Sequence, residues 1–117
     1  PILSIDPILA VPGVRDRLAA RRVPCVALSP FIAGQAVKGP AAKIMTELGL
    51  PTMPATIARH YDGLIDGLMV DVADAQGWSD DGLAVRSADI LMRNVDQQRA
   101  LAAQMIDFAA ALRRAAP

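Results

Sequence analysis

Two short apolar runs constrain this chain more than any other feature: Val23–Leu28 (VPCVAL) and Leu64–Val72 (LIDGLMVDV), with helix-patterned sequence between and after them. Strands held apart by helical segments cannot meet through a tight turn. They need a crossover, which yields a parallel or mostly parallel sheet with helices on its faces. The second run is nearly continuous apolar sequence, as befits a strand covered on both sides. The two runs are therefore expected to neighbour each other in an α/β domain.

The rest of the chain fits around that pair. Pro1–Val11, broken by Pro7 and Pro12, reads as a strand or extended turn leading into a helix over Gly13–Arg21, with Pro12 suited to a first helical position. Ala41–Leu48 reads as a helix closed by Gly49 with Pro51 beyond it. Another helix starts at Thr52 or Pro54 and runs through Tyr61, ended by Asp62-Gly63. Trp78–Gly82 is a polar turn and Leu83–Ser87 a short strand. Asn94 and Gln97 form a capping pair for the longest helix, Val95–Arg114, whose Leu101, Met105, Phe108 and Leu112 make one apolar stripe. Met45, Met53, Met69, Met92 and Met105 fit core packing.

Composition narrows the function classes. With 117 residues, 53% of them hydrophobic, the chain is one domain or part of one. Twelve basic residues balance twelve acidic ones, so no basic stripe points to nucleic acid. The single Cys25 excludes an intramolecular disulfide and is expected to be a small buried hydrophobe. No run of 18 apolar residues predicts a membrane span, and no charged-then-apolar start predicts export. A cytoplasmic protein is expected.

The segment with most chemical promise is VPCVALSPFIAGQAVKGPAAK, Val23 to Lys43: a strand, a polar loop with glycines and a lysine, then a helix start at Pro40. In α/β proteins such loops bind phosphates, through backbone N–H groups and the helix N-terminus. The order of a Walker loop is absent. Ser29 follows the strand end, where open α/β sheets place ligands, and Pro30 holds it extended. Gly34, Lys38 and Gly39 complete the loop, Lys38 supplying a full charge. Against this stands a connecting loop in which Ser29 ends the strand and Lys38 is a solvated charge.

Other polar residues read more simply. Ser4 and Asp6 precede a helix, where both are ordinary capping residues. His60, the only histidine, lies near a helix end without a second histidine or nucleophile to suggest a zinc site or triad, and a structural role is expected. Asp66, Asp71 and Asp74 could form a metal cluster by composition, although turn and cap roles suit them better. No metal ligand is assigned in this chain.

The residues also carry a resemblance. SIDPILAVPGVRDRL (Ser4–Leu18), VALSPFIAGQAVKGPAAKIMTELG (Val26–Gly49) and IARHYDGLIDGLMVD (Ile57–Asp71) resemble, in collinear order, the phospholactate or phosphoenolpyruvate transferases of coenzyme F-420 (deazaflavin) biosynthesis. The resemblance implies a Rossmann-like, mainly parallel α/β fold, of which residues 1–117 would be the C-terminal portion, starting partway along a longer protein at Pro1. It implies transfer of a phospholactyl or phosphoenolpyruvyl group from a guanosine diphospho donor to the deazaflavin Fo, with release of GMP. It further implies Mg²⁺ bound through residues outside this chain, small-molecule substrates with no nucleic-acid or membrane partner, and a homo-oligomer at full length. It places the Ser4 element near the substrate and makes Ser29, Gly34, Lys38 and Gly39 the phosphate or nucleotide side of the site. Catalytic residues are expected outside this chain, which alone would be inactive and would expose apolar surface. The family often carries paired glycines where this chain has Ala33-Gly34, a departure that weakens any claim that residue 33 requires a positive φ. Many members have Gly at the position of Asp6. The rivals are a nucleotide-sugar-binding regulatory protein of the same architecture, and a noncatalytic remnant or interaction module.

Overall fold

The computed structural model describes residues 2–36, 41–75 and 82–115. Its centre is a three-stranded sheet in the order β1 (Val26–Leu28), β4 (Gly67–Asp71), β5 (Ala84–Ala88), both pairings parallel. Val26 lies opposite Gly67 and Leu28 opposite Met69, while Gly67 faces Ala84 and Asp71 faces Ala88 on the other side. The expected adjacency of the two apolar runs is thus realised. All five residues of β4 are buried, as its unbroken apolar sequence requires of a central strand.

Alternation along β4 divides the interior into two layers. Leu68 and Val70 point into a core with Leu9, Phe31, Met45, Ile57, Tyr61 and Leu64. Met69 points the other way, into a core with Ala88, Ile90, Leu101 and Phe108. The first layer is covered by α1 (Ile2–Leu9), α2 (Val14–Ala19), α3 (Ala41–Glu47) and α4 (Pro54–His60), the second by α5 (Val95–Ala115). On α5, Leu101, Met105, Phe108 and Leu112 all pack into the second core. Its start is capped as the sequence predicts: Gln97 N–H donates to Asn94 Oδ1 at 2.8 Å, and Arg93 N–H donates to Gln97 Oε1. Helix α3 ends with Gly49 at φ 74°, where Leu50 N–H donates to the Met45 carbonyl and Gly49 N–H to that of Thr46, a left-handed C-terminal cap.

Five expectations need correction. Residues 2–9 form a helix although Pro7 lies inside it. Pro7 lacks one backbone donor, but Leu9 of this helix is buried in the core and Asp6 is bound to α4, so tertiary contacts outweigh the local signal. Strand β1 begins at Val26, not Val23, because Pro24 has no N–H to donate and Val23 is exposed. Met45 and Met69 are buried and Met105 packs against the core, but Met53 and Met92 lie exposed. Cys25 is half-buried at the start of β1, where burial pushes its thiol pKa up, Arg21 opposes and Asp66 reinforces.

The fifth correction concerns the loop. Residues 31–36 form an antiparallel hairpin, β2 (Phe31–Ile32) and β3 (Gln35–Ala36). Its two-residue turn has φ 50° at Ala33 and 83° at Gly34, the paired positive φ values of the type I′ turn. Residue 33 therefore adopts the left-handed conformation despite carrying a Cβ. An L-residue there costs about 1–2 kcal/mol, partly offset because glycine loses more freedom on folding. Ala33→Gly is expected to stabilise the chain by about 0.5–1 kcal/mol, read as a higher midpoint in urea denaturation. A lower midpoint would contradict the left-handed conformation of Ala33.

Candidate functional site

Ser29, at the carboxyl end of β1, is 1% exposed. Its N–H continues the ladder to the Met69 carbonyl at 2.9 Å, and its Oγ accepts the Phe31 N–H at 3.2 Å. Those bonds start the hairpin at a fixed angle to the sheet. They also use the N–H and one acceptor direction of Ser29, leaving its O–H as the donor still to be directed.

The carboxyl end of β4 is organised by Asp71, which is buried. One carboxylate oxygen accepts the Ala73 N–H at 2.9 Å, capping the 3₁₀ turn Val72–Asp74; the other accepts the Ile90 N–H at 3.2 Å, just beyond β5. Asp74 at the end of that turn accepts the Ala33 N–H at 3.0 and 3.1 Å. The tip of the hairpin is thereby fastened over the carboxyl end of β4. Two aspartates knit three strand ends into one rigid rim, and hydrogen bonds from backbone N–H to a charged acceptor are worth roughly 1.5–3 kcal/mol each.

Gly34 completes the turn half-buried, and a Cβ there would sit 3.7 Å from Thr52 Oγ1. Ser4 is exposed on α1. Lys38 and Gly39 lie outside the described residues, between the end of β3 and the start of α3. Of the residues singled out from sequence, Ser29 and Gly34 are thus placed in one unit on the carboxyl side of the sheet. The turn and cap roles expected of Asp71 and Asp74 are met, whereas the reach of Asp71 to Ile90, of Asp74 to the hairpin and the left-handed Ala33 had no sequence signal of their own. The general signal was Asp71 closing a long apolar run, since a carboxylate at a buried strand end must find donors.

A second polar cluster joins α1 to α4. Asp6 accepts from Tyr61 Oη at 2.8 Å and lies 2.7 Å from His60 Nε2. The histidine and tyrosine rings meet edge to face at 4.7 Å. Burial first, then Asp6, raises the Tyr61 pKa, so the phenol stays a neutral donor. Here His60 does structural work, tethering the first helix across the face of the sheet.

Three aspartates among the described residues already hold donors of this chain. Asp66 pairs with Arg21 at 2.8 Å and accepts the Cys25 N–H at 2.8 Å, and Asp71 and Asp74 are bound to backbone donors as described. Among the described residues no group of three or more His, Cys, Asp or Glu side chains could hold a metal ion, and no helix is long and apolar enough to cross a membrane.

A parallel sheet flanked by helices, with its strand ends knitted into a rim beside a hairpin, defines a Rossmann-like α/β protein. More narrowly, the chain belongs to the family of 2-phospho-L-lactate transferases, whose model matches residues 1–107. It is 38% identical over 97% of its length to a phosphoenolpyruvate transferase of Streptomyces griseus, and 35% identical over 98% to one of Streptomyces coelicolor. It is 36% identical over 87% of its length to a 2-phospho-L-lactate transferase of Methanosarcina acetivorans. The chain spans 37%, 37% and 34% of those three relatives, respectively.

Proposed function

We propose that this chain is the C-terminal part of a transferase that moves a phospholactyl or phosphoenolpyruvyl group from a guanosine diphospho donor to the deazaflavin Fo, releasing GMP. The observation that carries the reading is the rigid rim at the carboxyl side of the parallel sheet, in a chain of this family. That side is where open α/β sheets bind ligands. A preorganised rim pays its ordering cost before the donor arrives, which is what phosphoryl-type transfer asks of a protein.

In the proposed reaction a ribityl hydroxyl oxygen attacks the phosphorus that bears the lactyl or enolpyruvyl group. The anhydride bond to the second phosphate breaks, and GMP leaves with its electron pair. This chain's part is to hold the diphosphate: the Ser29 O–H, the backbone around Gly34 and Gly39, and the ammonium of Lys38. The Ser4 element of α1 borders the acceptor. The residue that takes the hydroxyl proton, and the ligands of Mg²⁺, belong to polypeptide outside this chain, and no step here runs through the metal. The complete protein is proposed to be a cytoplasmic homo-oligomer.

The test is a chimera in which this chain replaces the matching 37% of the Streptomyces griseus relative. With donor and Fo supplied, the folded chimera is expected to release GMP and form the phosphodiester, followed by chromatography. A folded chimera that binds the donor without turnover would overturn the transferase reading and favour a binding protein of the same architecture.

A further inference from the structure

The tip of the β2–β3 hairpin carries two consecutive backbone donors that the turn itself does not use. A two-residue turn closes between its flanking residues, here Ile32 and Gln35, so the N–H groups of Ala33 and Gly34 must find partners elsewhere. Ala33 N–H is bound to Asp74, 3.0 Å from one carboxylate oxygen and 3.1 Å from the other. The Gly34 N–H has no partner among the described residues. A Cβ at Gly34 would meet only Thr52 Oγ1 within 4 Å among those residues, so the backbone there is open to an approaching ligand.

Asp74 is itself held from both sides. Asp71 caps its 3₁₀ turn through the Ala73 N–H and ties it to the Ile90 N–H beyond β5. Ala75, the next residue, packs against the first core. The carboxylate therefore stands at a fixed point over the end of β4. The hairpin has little rigidity of its own, with two residues in each strand, and so short a ribbon is marginal in isolation. Its root is fixed by the Ser29 Oγ bond and by the buried Phe31. Among the described residues, Asp74 is the one side chain hydrogen-bonded to its tip.

We propose that Asp74 is a positioning residue of the ligand site: by occupying the Ala33 N–H it holds the hairpin tip so that the free Gly34 N–H meets an oxyanion of the diphospho donor. The Ser29 hydroxyl serves the same anion from the root of the hairpin. Asp74 touches no substrate in this role. Its negative charge is unfavourable beside a site for phosphates, so what the site takes from it is the hydrogen-bond acceptor and not the charge. A neutral acceptor of the same shape should therefore serve as well. That property separates positioning from metal binding and from proton transfer, both of which need the carboxylate. The inference rests on the donor reading of the proposed function and adds the residue that orients the site.

The test uses the chimera described above, with guanosine diphosphate as the binding probe and with donor and Fo for turnover. Asp74→Ala should weaken guanosine diphosphate binding and raise the donor KM by about tenfold, as when one hydrogen bond to a charged oxygen is misdirected. The KM for Fo should stay within about twofold of wild type. Asp74→Asn keeps an oxygen acceptor for the Ala33 N–H and should bring donor binding back to within about threefold of wild type. Phe108→Leu, in the second core, controls for destabilisation alone and should lower the melting temperature without moving the donor KM. In the chain alone, hydrogen exchange at the Ala33 amide should be slow in wild type and in Asp74→Asn, and at least about tenfold faster in Asp74→Ala. Unchanged donor binding in Asp74→Ala, with only a lower melting temperature, would reduce Asp74 to a brace and overturn the proposal. So would an Asp74→Asn variant as damaged as Asp74→Ala, which would mean that the charge is used, or an equal loss for donor and Fo. A wild-type chimera that binds no guanosine diphosphate would sink the donor reading and this inference with it. Binding without turnover would sink only the transferase reading, and the guanosine diphosphate titrations would still decide the role of Asp74.

Discussion

Phe108→Ala is expected to destabilise the chain by about 3–5 kcal/mol, the usual cost of removing a buried aromatic side chain without full collapse of the space. Phe108 is buried on α5 and its ring lies directly on the backbone of Gly67 in the central strand. A Cβ at residue 67 would stand 2.6 Å from Phe108 Cζ and 3.0 Å from Leu112 Cδ1. The missing side chain of Gly67 is thus the socket in which α5 is seated. The Arg86 guanidinium, 4.8 Å from the ring centroid, adds a cation–π contact worth about 0.5–1 kcal/mol at an exposed position. Against a typical total stability of roughly 5–15 kcal/mol, the loss is large, and urea denaturation followed by circular dichroism reads it directly. Gly67→Ala attacks the same contact from the other side and is expected to cost about 1–3 kcal/mol by overpacking. Combined with Phe108→Leu it should cost less than the sum, because the two changes share one space. A loss below about 1 kcal/mol for Phe108→Ala would mean that α5 is not held on the sheet through this ring.

The second large effect concerns the proposed ligand. In the complete protein, Lys38→Ala is expected to weaken binding of the proposed guanosine diphospho donor by about ten- to a hundredfold, the loss of one charge-assisted contact of roughly 1.5–3 kcal/mol. Binding of Fo should be nearly unchanged, since a deazaflavin ring offers the ammonium no phosphate to pair with. The neighbouring helix α3 is only seven residues long, so the full charge of Lys38 is expected to outweigh the helix terminus. If Lys38 is solvated, the effect should shrink as ionic strength rises. Calorimetric titration of each ligand into wild type and variant gives the comparison. Equal donor affinity would make Lys38 an ordinary loop charge, and a selective loss of Fo binding would put the segment on the other substrate.

Much of the architecture was legible in the sequence by itself. The unbroken apolar character of Leu64–Val72 determined a buried central strand, and helical sequence between the apolar runs determined parallel pairing. The stripe from Leu101 to Leu112, the Asn94–Gln97 cap and Gly49 determined helix faces and ends. These signals are local: each residue type carries its own conformational and solvation cost. The place of Ser29 at the carboxyl side of the sheet was legible for the same reason, because a polar residue after a buried strand marks that side, whereas the hairpin that follows was not.

Tertiary structure decided what local chemistry could not. Helix α1 holds despite Pro7 because Leu9 is buried and Asp6 reaches His60 and Tyr61, residues more than fifty positions away in the chain. The loop became a hairpin with Ala33 in a left-handed conformation because its N–H finds the Asp74 carboxylate across the carboxyl end of the sheet. Gly67 could be read as a weak point in a strand, whereas the fold makes it the seat of Phe108. Asp71 and Asp74 read as turn and cap residues, but only the fold shows that their carboxylates also reach Ile90 and the hairpin. Apart from the local Asp71–Ala73 cap, the deciding partner in these cases is distant in sequence, and a contact across such a separation forms only after the chain has already met the entropic cost of closing the loop between.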